Sequence, residues 1–169
     1  MNYVVDTNVP VVANGRNVHG EASPSTKCRL AALAFLELLL EHGRIHVDDE
    51  GRIQAEYHRH LNPRGQPGVG DRFYQAVLNS APAKIVRVSM EMDAEGGYAD
   101  FPSVPELANF DPNDRKFVAV ALRQGVPVAN AVDSDWLNHR VYLEGQGLKI
   151  KFVCGTAPQK WFETAEHPG

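Results

Sequence analysis

Apolar positions along this chain follow two rhythms, short β-branched runs and longer stretches at helical spacing. Tyr3-Val4-Val5 is the first run and predicts a strand. Ser25 or Thr26 can cap a helix running to about His42 and stopped by Gly43. Its Leu30, Leu33, Leu36, Leu39 and Leu40, with Phe35 and Leu38, cover more than half the circumference, which predicts packing on two sides. Arg44 to Val47 reads as a second strand. Asp48 and Asp49 cap a further helix that ends at Asn62-Pro63. A Gly/Pro-rich loop from Arg64 to Gly70 follows, then a helix from Gly70-Asp71 through Leu78, and a third strand from Lys84 to Val88.

Residues 90–112 lack periodicity and hold Pro102, Pro105 and Pro112, so a long loop with at most one helical turn is expected. The helix from Pro112 to Gln124 turns Phe117, Val118, Ala121 and Leu122 inward and stops at Gly125. Val126 to Val132 predicts a strand, Ser134 to about Glu144 a helix, and Leu148 to Val153 a last strand. Beyond Gly155, Trp161 and Phe162 stand in a stretch without a clear element. Strands separated by helices imply right-handed crossovers. The expected fold is a three-layer α/β/α domain with a central, mostly parallel sheet of four to five strands. It occupies residues 1–154, with 155–169 as a tail.

Composition adds little and excludes some things. At 169 residues the chain can bury a sizeable core, and 43% apolar with 22% charged residues is ordinary for a globular protein. A net charge of −4 gives no global basic field, which counts against a protein that coats nucleic acid but not against a nuclease with local charge. Cys28 and Cys154, without a CxxC, predict reduced, packed thiols and a cytoplasmic location. The N-terminus reads as a strand instead of a leader, and the apolar run Leu30 to Leu40 carries Glu37 and is too short for a membrane span.

The informative residues are carboxylates. Asp6 closes the first strand, Glu56 lies in a short amphipathic helix, Asp114 opens a helix, and Asp133 ends a strand with Asp135 two residues on. Ligands of an open parallel sheet gather beyond the carboxyl ends of its strands. Carboxylates crowded there repel unless a hard cation such as Mg²⁺ or Mn²⁺ neutralises them. Each has a structural alternative. Asp114 falls at the third helical position after the N-cap Asp111, and Asp133 and Asp135 flank a helix start. Glu56 shares its helix face with Ile53, Tyr57 and Leu61, so it needs a partner, either a cation or His60 on the same stripe.

Other chemistry is thinly represented. His58 and His60 are two apart and lack the HExxH spacing, and Gly65 to Gly70 follows a helix and lacks the Lys-Ser/Thr of a phosphate loop. Arg59, Arg64, Arg72, Arg115, Lys116 and Arg140 border the acidic segments and are candidates for gripping phosphates.

Val4-Val5-Asp6-Thr7-Asn8-Val9 resembles the opening of a PIN domain, the fold of many metal-dependent ribonucleases and of VapC-type toxins. Gly51 to Tyr57 resembles that family's helix with an acidic residue before Tyr. Asp111 to Leu122 is similar to its third motif, with Asp114 at the acidic position, and Asp133-Ser134-Asp135-Trp136 to its fourth. Ala131 stands where family members often carry Thr or Ser. The resemblance spans roughly residues 2 to 153 and implies an endoribonuclease acting on single-stranded RNA. RNA is then the expected substrate, and an antitoxin protein and a second copy of the chain are candidate partners.

Metal chemistry gives the expected mechanism. Asp6, Glu56, Asp114 and Asp133 hold one or two Mg²⁺ or Mn²⁺ ions, Asp135 is a further ligand or base, and Asn8 and Ser134 orient carboxylates. Two rivals come from other classes. One is a PIN-fold RNA-binding or assembly module without activity. The other is a phospho-acceptor α/β domain of response-regulator type, which needs a Lys beyond the last core strand, whereas Lys149 and Lys151 lie within it.

Overall fold

The strands of this chain are short, and the residues at the centre of the sheet are apolar and buried because helices cover both of its faces. Val4, Val5, Ile45, Val47, Val128 and Ala129 are all fully buried. The structure, a computed structural model, describes residues 1–18 and 22–164. Five strands, β1 (Asn2–Val5), β2 (Arg44–Asp48), β3 (Ile85–Val88), β4 (Val128–Asn130) and β5 (Ile150–Phe152), form one parallel sheet in the order β3-β2-β1-β4-β5. The register sets Asn2 beside Arg44 and Val4 beside Val128. Among the described residues, seven α-helices complete the three-layer α/β/α arrangement: α1 (Asn8–Ala13), α2 (Thr26–His42), α3 (Arg52–His60), α4 (Val69–Asn79), α5 (Arg115–Gln124), α6 (Ser134–Asn138) and α7 (Arg140–Gly145).

This strand order matters for function. The chain builds outward from β1 to β3, then returns to add β4 and β5 on the other side of β1. Between β1 and β4 the direction of winding reverses, and the carboxyl end of a parallel sheet opens a crevice at such a point. Asp6 directly follows β1, and Asp133 follows β4 by three residues.

Local signals account for the element ends. Ser25 Oγ accepts from the Cys28 N–H and starts α2. Asp48 accepts from the N–H groups of Arg52 and Ile53, both at 2.8 Å, so it caps α3 from the end of β2. Gly125, at φ 64°, takes the left-handed turn that ends α5 while its N–H reaches the Ala121 and Leu122 carbonyls.

Several expectations need correction. Cys28 and Cys154 are joined in a disulfide, not held as reduced thiols, so the argument for a cytoplasmic location from free thiols loses its premise. Helix α2 is buried on one side only, through Cys28, Ala32, Phe35, Leu36 and Leu39, with Leu30 and Leu38 exposed. The helix expected over 134–144 is two short ones, and a 3-10 turn, Pro112–Asp114, precedes α5. Helix α1, which the chemistry of Asp6 did not require, is wholly buried behind β1. The stretch beyond Gly155, expected without a clear element, holds a 3-10 turn at Pro158–Lys160. Trp161 is buried, its carbonyl accepts from the Ser25 N–H, and Phe162 bridges to Pro24.

The 90–112 segment is a loop, as expected, with one 3-10 turn at Pro105–Leu107 and a bridge between Met92 and Tyr98. Leu107 and Phe110 anchor it in the core, Phe110 meeting Trp136 edge-on at 5.1 Å between ring centres. No described helix is long and apolar enough to cross a membrane.

Candidate metal centre

Three carboxylates from three separate segments meet in the crevice. One oxygen each from Asp6, Asp114 and Asp133 lies within 4.8 Å of the other two, and such a group could hold a metal ion. Asp6 and Asp114 are buried, Asp133 half-buried. They line one side of a cleft of about 230 Å³ together with Thr7, Asn8, Glu56 and Arg59.

Each is held by its backbone setting. Asp6 Oδ1 accepts from the Asn8 N–H at 3.0 Å, because the chain turns directly from β1 into α1. Its Oδ2 accepts from the Trp136 indole at 2.6 Å, a bond across the sheet from α6. Asp133 caps α6 by accepting from the Asp135 N–H at 2.9 Å. Asp114 closes the 3-10 turn that Asp111 and Pro112 start. The Asn8 side chain, expected to orient a carboxylate, bonds to the end of β4 instead. Its amide donates to Asn130 Oδ1 at 2.8 Å and accepts from the Ala131 N–H at 2.7 Å, and Asn130 in turn donates to the Asp133 carbonyl. That chain ties the end of β1 to the end of β4.

Charge crowding shows in the acidities. Burial, followed by the fields of Asp6, Asp133, Asp111 and Glu56, pushes the Asp114 carboxyl up to about 10. Burial also pushes Asp6 up to about 7, with Asp133 and Glu56 adding to it and the Asn8 and Trp136 bonds opposing it. Two adjacent buried acids that resist ionisation are what a hard divalent cation would relieve.

Glu56 reaches the same cleft but stands outside the trio. Tyr57, the next residue, pins α3 by donating its hydroxyl to the Val5 carbonyl at 2.5 Å, one residue before Asp6. Glu56 then accepts from Thr7 Oγ1 at 2.6 Å and forms an ion pair with Lys116. Its partner is therefore Lys116 and not His60, which is exposed at the last turn of α3. Lys116, expected to grip phosphate, is instead buried against Glu56 and the Asn113 carbonyl.

The remaining candidates divide sharply. Asp135 lies outside the cleft; it accepts from the Asp111 N–H at 2.9 Å and pairs with His139 at 3.0 Å, fixing the turn that carries Asp114. Ser134 is exposed and lines a different cleft beside Trp161. Of the basic residues, Arg59 lines the acidic cleft. Arg115 donates to the Ala108 and Phe110 carbonyls and lies over the Phe101 ring. Arg140 pairs with Glu144 and covers Phe152. Arg64 and Arg72 are exposed and line neither the acidic cleft nor the clefts that adjoin it.

Those adjoining clefts form a track. A second cleft shares Glu56, Arg59 and Asn113 with the first and adds Arg52, Lys116 and Tyr98. A third, of about 580 Å³, shares Tyr98 and Pro112 with the second and continues along the 90–112 loop past Phe101 and Arg115. Arg52 stacks on Tyr98 midway along it.

Thr7, Asn130 and Trp136 were missed as site residues from sequence. Thr7 and Trp136 sit beside motif acids, which was the available signal; nothing local marks Asn130. Comparison with protein-family models, with curated proteins and with solved structures finds no match to this chain.

Proposed function

We propose that this chain is a metal-dependent nuclease of PIN-domain type that hydrolyses phosphodiesters of single-stranded RNA. The observation that carries the reading is the trio Asp6, Asp114 and Asp133, gathered within 4.8 Å at the reversal point of a parallel sheet. All the donors are hard carboxylate oxygens, the set that suits Mg²⁺ or Mn²⁺ over softer metals. The trio would hold the ion, and the ion, when bound, supplies Lewis acidity for activating water and offsets charge in phosphoryl transfer. One ion is favoured over two, because the Lys116 ammonium already neutralises the fourth carboxylate, Glu56.

The protein's own groups do the rest. Water attacks phosphorus in line, the bond to the leaving oxygen breaks, and that oxygen takes a proton from solvent. Glu56, aligned by Thr7 and Lys116, is the group in the cleft suited to accept a proton from the water. Arg59 beside it supplies a cation for the scissile phosphate. The track through Arg52 and Tyr98 to the 90–112 loop suits an unpaired strand, with a base stacked on the aromatic ring and phosphates near arginines. A duplex has no exposed base face to offer it.

The test is cleavage of a random-sequence, end-labelled single-stranded RNA with Mn²⁺ or with EDTA. Cleavage that needs Mn²⁺ and is lost in Asp114→Asn supports the reading. Binding without cleavage by the wild type would favour the RNA-binding module instead. Because the pool holds many sequences, a preference for one of them does not hide activity.

A further inference from the structure

We propose that the outer face of α2 is a docking surface for a second copy of this chain, paired antiparallel about a twofold axis at Ala34. Leu30 is 60% and Leu38 51% exposed, and Ala34 between them is also exposed. Scattered surface leucines are ordinary, but these are not scattered. At 100° per residue, Lys27, Leu30, Ala34, Leu38 and Glu41 fall within an arc of about 80° on one side of the helix. The opposite side is the one buried in the core.

The order of these residues is self-complementary. Leu30 and Leu38 each lie four residues from Ala34, and Lys27 and Glu41 each lie seven from it. A twofold axis at Ala34 therefore sets Leu30 against the partner's Leu38 and Lys27 against the partner's Glu41, twice over. The small Ala34 at the crossing lets the helix axes approach to about 8–10 Å. Parallel pairing would instead oppose Lys27 to its own counterpart and Glu41 to its own, so charge selects the antiparallel form. Both charges are free to be recruited. Among the described residues, Glu41 pairs only with its exposed neighbour His42 and Lys27 forms no ion pair.

The surface is independent of the nuclease reading, since none of these five residues lines the acidic cleft. Helix α2 has 17 residues, so one helix pair about 26 Å long buries an area at the low end of specific interfaces. The dimer is therefore a reversible one, with a dissociation constant on the order of micromolar.

Sedimentation velocity over about 1–500 μM, a range that brackets such a constant, tests this on the purified chain. The wild type should shift from monomer to dimer. Lys27→Glu or Glu41→Lys alone turns two attractive pairs into two repulsive ones and should weaken association roughly tenfold. The double variant Lys27→Glu/Glu41→Lys restores opposite charges and should recover dimerisation to within about threefold, the scatter expected of such pairs. Ala34→Arg should leave a monomer at every concentration. A wild type that stays monomeric, a dimer indifferent to Ala34→Arg, or a double variant as weak as its singles would each overturn the proposal. All three substituted positions are exposed, and circular dichroism checks that the helix persists. Should Ala34→Arg fail to fold, the charge-reversal set decides alone.

Discussion

The indole N–H of Trp136 donates to Asp6 Oδ2 at 2.6 Å, joining residues 130 apart in sequence at the floor of the acidic cleft. The bond does two things. It holds the carboxylate in place and lowers its pKa against the burial that raises it. Trp136 is itself fully buried against Phe110, so the core and the site share one side chain.

Trp136→Phe keeps most of that packing and removes the donor. A hydrogen bond to a charged group contributes about 1.5–3 kcal/mol, so urea denaturation should show a loss of that order. In Asp6→Asn the same substitution should cost less, and a double-mutant cycle measures the difference. Equal losses in both backgrounds would mean that the bond contributes nothing beyond the cavity.

Stability of the metal-free protein should fall as pH rises. Asp6 and Asp114 hold protons more tightly in the native chain than the ordinary carboxyl value of 3.8, Asp6 up to about 7 and Asp114 up to about 10. Below the ordinary value both states are protonated and nothing is lost. Above it the unfolded chain releases protons that the native chain retains, so the native state is progressively penalised. Denaturation in EDTA at pH 5 and pH 8 should therefore show a decline that Asp114→Asn reduces. Identical pH profiles for wild type and variant would contradict the crowding of these acids.

Lys116 should govern how many cations bind. It neutralises Glu56 in a site where both side chains are mostly buried. Lys116→Met leaves Glu56 with Thr7 alone, at a cost of about 1–3 kcal/mol for a charge left unpaired. It also opens a fourth carboxylate to metal, so a Mn²⁺ titration should rise from one ion to two. Unchanged stoichiometry with unchanged stability would mean that the ion pair does not shape the site.

Single-stranded RNA should lose affinity when the track is cut. Replacing Tyr98 with Ala removes one stacking platform, worth about 1–3 kcal/mol per base. Arg52→Ala removes one phosphate contact and should reduce the salt slope by about 0.7 at most. Arg64→Ala and Arg72→Ala, away from the track, should change neither. Filter binding in EDTA across a salt series distinguishes the two pairs.

Much of this molecule was legible in its sequence. Alternating strands and helices specified the parallel sheet, and strand ends gave Asp6 and Asp133, because the ends of such strands point to one edge. The losses that bear on the site and on the cysteines were long-range. Cys28 and Cys154 are 126 residues apart, at the start of α2 and just past β5, where the tail also packs through Trp161. Helical spacing left Glu56 either a cation or His60 as its partner, but α3 ends at His60, where the side chain turns to solvent while Lys116 arrives from α5. The leucines of α2 cover more than half its circumference, and periodicity alone cannot say which side meets the core.

The most direct test is calorimetric titration of Mn²⁺ into the wild type and into Asp114→Asn at pH 7.5. A centre built from Asp6, Asp114 and Asp133 predicts one ion per chain in the wild type, with protons released on binding, and none at millimolar metal in the variant. Absence of binding to the wild type, or equal binding to both, would contradict a metal centre at this crevice.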